Sequence, residues 1–216
     1  MRSFNAYLGF CLCFLLGCAQ SKPEFVPQQG DLLLQNLNCG ALCDAIEKVT
    51  TGYDKKSFSH IGVVLKTDSG MAVLEAYDGV SVVSLATFLE RTRLANGKTA
   101  VLAARLKPAF LHLIPTAIVA GKQLIGKKYD SEFDLKNDEY YCSELIYTIF
   151  KEANGNQDFF PLNKMTFFHK TDTSVAGTWR RYFEQLKIPV PENELGINPG
   201  AISRSPNIEM VHDYNP

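Results

Sequence analysis

Between Phe58 and Leu106 the chain is a succession of short β-branched and apolar runs parted by turn signals, and long helical patterns come only after them. Phe58–Leu65 and Met71–Tyr77 are separated by Lys66-Thr67-Asp68-Ser69-Gly70, a hairpin signal. Val80–Leu85 continues the sheet after Asp78-Gly79, and Thr99–Leu106 is a further strand candidate. Ahead of them Gly30-Asp31 opens Leu32–Asn36, which reads as a first strand, and residues 41–50 read as a short helix. Pro108 starts an apolar pattern expected to run as one helix to about Gly126. Residues 139–154 form another helix, closed by Gly155, a common helix stop. The Pro-containing tail carries one amphipathic helix around Thr178–Leu186. Strands grouped first and helices grouped after them predict an α+β fold, not an alternating α/β one.

A chain of 216 residues, 46% apolar and 21% charged, suits one globular domain with its own core. The net charge is −1 with Lys and Arg scattered, so no electrostatic footprint for nucleic acid exists and no nucleic-acid partner is expected. The N-terminus is different. Arg2 precedes a short apolar run, Ala6–Leu16, too short to cross a bilayer core of roughly 30 Å but suited to a secretory signal. Its ending, Leu15-Leu16-Gly17-Cys18, resembles the bacterial lipobox, in which the cysteine becomes the lipidated first residue of the mature chain. The expected organisation is therefore a signal peptide over 1–17, a lipidated tether over 18–28 and one domain over 29–216. That makes the protein an exported bacterial lipoprotein, held to a membrane at Cys18 and facing the periplasm or the cell exterior.

Of the six cysteines, Cys11 and Cys13 would leave with the signal and Cys18 is the anchor, which leaves Cys39, Cys43 and Cys142. An exported chain may form disulfides, yet three thiols cannot all pair. Cys39 and Cys43 are four apart across Gly40, where a bridge is possible but locally awkward. With one histidine they also lack the spacing of a zinc site, and neither a metal nor a cofactor is expected. Cys142 shares a helical stripe with Leu145, Ile146, Ile149, Phe150 and Ala153, at the N-terminal end, where the backbone N–H groups favour a thiolate. Taken alone, that stripe fits a packed core cysteine as readily. His60 begins the strand Ser59–Leu65 and shares a face with Gly62 and Val64. Glu75 lies on the next strand. Whether Glu75 faces Gly62, diagonal to His60, or faces His60 directly, carboxylate and imidazole fall on one face. Nucleophile, base and orienting group are the three parts a covalent amide hydrolase needs.

Four strings in order carry a resemblance: FSHIGVVL, VLEAYDGV, GKKYD and YYCSEL. Together with Gly30-Asp31-Leu32 they resemble the permuted NlpC-type papain-like cysteine hydrolases, the YiiX/YaeF-like group, over roughly residues 29–155, and the tail PGAISRSPNIEMV is reminiscent of the same group. The resemblance implies a circularly permuted papain-like fold, an antiparallel sheet packed on the helix that carries the cysteine. It implies Cys142 as nucleophile, His60 as base, Glu75 as third group and Tyr129 as a lining residue of the oxyanion hole. Glutamate stands where papain-like relatives often carry Asn, Asp or His. Glu144 also matches the pattern, but helical spacing turns it from the Cys142 stripe, so it reads as support or a distant substrate contact. The implied activity is hydrolysis of an amide through a Cys142 thioester. Envelope peptides, peptidoglycan-derived ones among them, or N-acyl amino-acid amides including those of lysine would be its substrates. An acyltransferase of the same fold and a catalytically silent lipid-anchored binding module are the alternatives. His112, His169 and His212, and Ser143 beside the cysteine, have no partners that suggest chemistry. Phe159, Phe160, Phe167 and Phe168 read as core before they read as groove walls.

Overall fold

A computed structural model of the protein describes residues 25–169 and 171–216. The expected signal segment, Cys18 and most of the tether lie outside these residues. Among the described residues no helix is long and apolar enough to cross a membrane.

The strands come first, as expected. They are β1 (Leu32–Gln35), β2 (His60–Thr67), β3 (Gly70–Ala76), β4 (Val80–Ser84) and β5 (Val101–Leu106), with β8 (Ile208–Asp213) added from the C-terminus. They form a six-stranded sheet in the order β4-β3-β2-β1-β5-β8, antiparallel throughout. The β2–β3 register pairs Lys66 with Met71 and Gly62 with Glu75, so Glu75 is diagonal to His60. The helices are α1 (Ala41–Val49), α2 (Leu85–Glu90), α3 (Ile114–Gln123), α4 (Cys142–Ala153), α5 (Thr173–Leu186) and α6 (Pro199–Ser203). A two-stranded ribbon joins β6 (Asn163–Lys164) to β7 (Leu195–Gly196).

Both faces of the sheet are covered, which is why β1 and β2 read as nearly continuous apolar runs. One face sends Leu32, Leu34, Ile61, Val63, Leu65 and Leu74 into the main core with Ala117 of α3 and Leu145, Ile146 and Ile149 of α4. The other face sends Leu33, Val64, Val73, Val101 and Ala103 against Phe88 of α2. A third cluster joins α1 to α5 through Ala45, Phe167, Val175, Trp179 and Phe183. The Cys39–Cys43 pair, left open by spacing, is a disulfide at the start of α1, with Cα atoms 5.4 Å apart.

The elements differ from expectation in several places, the short β6–β7 ribbon and α6 among them. The helix expected from Pro108 to Gly126 is broken into a 3-10 segment, Pro108–Leu113, and α3. Pro115 supplies the reason: it has no N–H for the preceding turn and its ring opposes a continuous helix there. The tail helix starts earlier than expected, at Thr173, because the Asp172 carboxylate caps the backbone N–H of Ser174. Helix α2 was not expected; Ser84 caps it by accepting from the Thr87 N–H. Strand β8 was hidden in the Pro-rich tail and exists through its pairing with β5.

Helix α3 approaches the sheet through Gly121, where a Cβ would lie 2.3 Å from Leu74 Cδ2 and 3.5 Å from Ile149 Cγ2. Leu74 and Ile149 are fully buried and have little room to move. Gly121→Val is expected to lower the free energy of unfolding by roughly 1–3 kcal/mol through overpacking; denaturant titration of both proteins checks it, and unchanged stability would refute this account of the α3 contact.

Candidate active site

The site is built where the first residue of β2 meets the first residue of α4. His60 lies opposite Gln35 of β1 and is buried. Its Nε2 lies 2.7 Å from Glu75 Oε2, on the face that the β2–β3 register gives to both. The Cys142 side chain lies near enough to the same ring to act on its protonation. With Nε2 committed to Glu75, Nδ1 is the nitrogen left for the sulfur. Tyr77 and Phe88 pack on the ring edge-on and tilted, at centroid distances of 5.6 and 5.8 Å.

Glu75 has no solvent exposure, and an ionised carboxylate is costly in such a place unless paired. Arg91, just past the end of α2, answers this with a two-pronged contact, NH1 to Oε2 at 2.6 Å and NH2 to Oε1 at 2.7 Å. The guanidinium also sits 4.3 Å from the Tyr77 ring centroid. Burial pushes the Glu75 carboxyl up, but the bonds and charges of His60 and Arg91 outweigh it and hold the group below the usual carboxylate range. Burial likewise pulls the His60 imidazole down, yet Cys142 and Glu75 together raise it to about 9. The pair is thus set to carry an imidazolium between two anionic or polarisable partners.

Cys142 is the first residue of α4, one of the positions whose N–H has no intrahelical partner. It is the free cysteine among the described residues. Glu144 does not reach into the site: its carboxylate is buried and accepts the Tyr141 backbone N–H at 3.2 Å, capping α4. Burial, with Asp130 and Asp134 nearby, raises Glu144 to about 8. Ser143 is occupied, donating to the Ile197 carbonyl at 3.0 Å, while the Tyr141 hydroxyl accepts from the Ile197 N–H at 3.2 Å.

Tyr129 lines the same cleft as Cys142. The GKKYD segment that carries it is held at both ends. Val80 donates to the Lys127 carbonyl and Gly126 to the Val80 carbonyl, at 2.8 and 2.9 Å. Asp130 is fully buried and accepts from the N–H groups of Glu132, Phe133 and Asp134. Burial and the nearby Cys142 charge hold the Tyr129 phenol well above its ordinary value, so it remains an O–H donor.

The cleft beside Cys142 is walled by α1, the Tyr129–Phe133 loop, the β6 region, Trp179 of α5 and residues 197–199. Phe159 and Phe160 are core, Phe167 is buried but also lines the cleft, and Phe168 is half exposed. His112 and His169 are exposed and His212 stacks on Phe25, all outside the cleft. Thus Cys142, His60, Glu75 and Tyr129 come together. Arg91 and Asp130 belong to the same construction but were not anticipated. The signal for Arg91 was its spacing of three from Phe88, which puts both on one helical face. For Asp130 it was an aspartate opening a polar loop, a residue that commonly caps the N–H groups ahead of it.

Comparison with known proteins identifies the family and the fold. The sequence profile of the permuted papain-like amidases, YaeF/YiiX, C92 family, matches residues 26–212. The Escherichia coli K12 protein YiiX is 23% identical over 201 residues, which span 91% of this chain and 93% of that one. A crystal structure of the metalloprotein yiiX from Escherichia coli O157:H7 superposes with a TM-score of 0.73 at 22% identity, covering 87% of this chain and 97% of that one. Among the described residues here, no group of three or more His, Cys, Asp or Glu side chains is disposed to hold a metal ion. The sheet precedes the cysteine helix, as a permuted order requires, and the matched profile spans nearly the whole described chain: the protein belongs to the permuted papain-like amidase family of YaeF and YiiX.

Proposed function

We propose that the protein hydrolyses amide bonds through a thioester on Cys142, with His60 as general base and acid and Glu75 as the group that orients it. The observation that carries this reading is the single His60 ring that meets Glu75 through Nε2 and also interacts with the Cys142 side chain. His60 takes the thiol proton and the sulfur attacks the amide carbon. The oxyanion is received by the Cys142 backbone N–H and the Tyr129 hydroxyl. Collapse breaks the C–N bond, and the His60 imidazolium protonates the departing amine. Water, deprotonated by His60, then attacks the thioester; the acid leaves and the proton returns to the sulfur. Arg91 keeps Glu75 ionised throughout, so that the carboxylate holds the ring in one tautomer.

The substrates we infer are envelope peptides, peptidoglycan-derived ones included, or N-acyl amino-acid amides. The lipobox-like Leu15-Leu16-Gly17-Cys18 supports export and anchoring at Cys18, which would bring the enzyme to those substrates. Cys18→Ser is expected to move the expressed protein out of the membrane fraction of a bacterial host, and continued membrane retention after a salt wash would refute the anchor.

Cys142→Ala is expected to lower turnover of an amide panel by at least about 10³-fold while the circular dichroism spectrum stays that of the parent. Full activity in that variant would end the thioester mechanism. The pH profile tests the base. His60 must hold a proton to release the amine, so kcat/KM should fall as pH rises through about 9. Glu75 is one of the groups that raise the imidazole, so Glu75→Gln should move this alkaline limb to lower pH and reduce the maximum roughly 10²–10⁴-fold. An alkaline limb that does not move in this variant would remove Glu75 from the assigned role.

A further inference from the structure

A second cleft adjoins the one that Cys142 lines. Val49, Thr50, Asn163 and Asn198 line both, and the second is completed by residues that include Thr51, Arg204 and Ser205. Helix α6 links the two. Asn198 caps it by accepting the Ala201 N–H at 2.8 Å, and Arg204 stands just past its last residue. Arg204 follows Asn198 by six positions, a rise of roughly 9 Å along a helix. An extended peptide covers that span with about three residues.

The charges along the two clefts are of one sign. Lys164 lines the first and Arg204 the second, and no Asp or Glu among the described residues lines either. Both side chains are exposed, and among the described residues neither is ion-paired. Their neighbours in the wall are already engaged. Lys48 of α1 is bound to Asp172, and the Glu192 carboxylate accepts the Phe167 N–H at 2.8 Å. Lysine and arginine carry their charge on long, rotatable stems, so heads rooted in the lining can close on an anion lying along it. A cationic group on the same path meets two like charges and no counter-ion.

We infer that the paired clefts select amides whose chain carries a carboxylate beyond the scissile bond, drawn there by Lys164 and Arg204. The inference rests on the amidase reading for the bond that sits at Cys142, and it narrows the substrates of that site to acidic peptides or acyl amides.

The test titrates the Cys142→Ala protein by calorimetry with acetyl-Ala-Glu-Ala-Glu amide and with its glutamine counterpart, which has the same size and no charge. The glutamate peptide is expected to bind at least about tenfold more tightly at about 10 mM salt. It should lose most of that margin at about 1 M, where the screening length falls from roughly 30 to roughly 3 Å. A third peptide, with neutral side chains and a free C-terminal carboxylate, locates the anion: preference for it assigns the carboxylate to a chain end, preference for the first to a side chain. If neither binds more tightly than the glutamine amide, the proposal is overturned. Arg204→Gln and Lys164→Gln should each weaken the preferred anionic peptide about threefold or more and leave the glutamine peptide unmoved. Both side chains are exposed and unpaired among the described residues, so neither change threatens the fold. Lys122→Gln removes the same charge from α3, outside both clefts, and should keep the margin intact. An equal loss in that variant would reduce the effect to long-range attraction and overturn the role of the clefts. None of these readouts needs turnover. Wild-type protein that cleaves no amide while the anionic preference holds would sink the amidase reading alone; cleavage without preference for acidic amides would sink the cleft proposal alone.

Discussion

A carboxylate with no access to water governs the architecture around the site. Glu75 can remain ionised only because Arg91 grips both its oxygens and His60 meets one of them. Each of those contacts makes demands elsewhere. The β2–β3 register must put Glu75 on the His60 face, since a slip of one residue would turn it to the opposite side of the sheet. Helix α2 must lie so that Phe88 seals the second core while Arg91 reaches inward. Gln35, whose Nε2 donates to the Phe88 carbonyl at 2.6 Å, ties α2 to the strand opposite His60. Register, helix placement and ring orientation are therefore one coupled constraint.

The cysteine half is held by a separate set of contacts. Glu144 caps the helix, Ser143 and Tyr141 fasten residue 197 beside it, and Asp130 gathers three backbone N–H groups into the loop behind Tyr129. Nothing in this set requires the helix to precede the sheet in the chain. A strand start and a helix start meet at one end of a packed sheet whichever is made first, and that is the physical reason a permuted order preserves the geometry. The Phe133 backbone, at a φ of 59°, turns within this loop so that its ring touches Tyr141 on one side and the α5 cluster on the other. The loop behind Tyr129 thus joins the nucleophile helix to the wall of the cleft.

How much of this was legible in the sequence depended on how local the cause was. The β2–β3 hairpin, the helical stripe behind Cys142 and the shared face of His60 and Glu75 follow from periodicities of two and 3.6, which any stretch of chain displays by itself. Strand β8 does not: Ile208–Asp213 is a strand because β5 offers it an edge, a partner about a hundred residues away. Arg91 was missed for the same reason: its spacing of three from Phe88 is ordinary until a buried carboxylate is found facing it. The Pro108–Gly126 segment failed differently. Its apolar pattern is real on both sides of Pro115, but periodicity carries no account of a missing N–H. The Cys39–Cys43 bridge turned on a local backbone geometry around Gly40 that spacing alone left undecided.

The division of labour that results has a consequence for how such a fold diverges. Glu75, Arg91, Asp130 and Glu144, the charged groups that hold His60 and the start of α4 in place, all precede Ala153, where buried ion pairs and register leave little freedom to change. The cleft wall is largely supplied by α1 and by residues 163–199, through packing among Phe167, Trp179, Phe183 and their neighbours. Apolar packing tolerates substitution at conserved volume far better than a buried charge tolerates loss of its partner. Selection of a substrate can therefore be rewritten in the C-terminal segment and α1 without disturbing the Glu75–His60–Cys142 line. The disulfide at the head of α1 fits that arrangement: it fastens a wall helix that contacts α5 but carries none of the ion pairs that hold the sheet and α2 together.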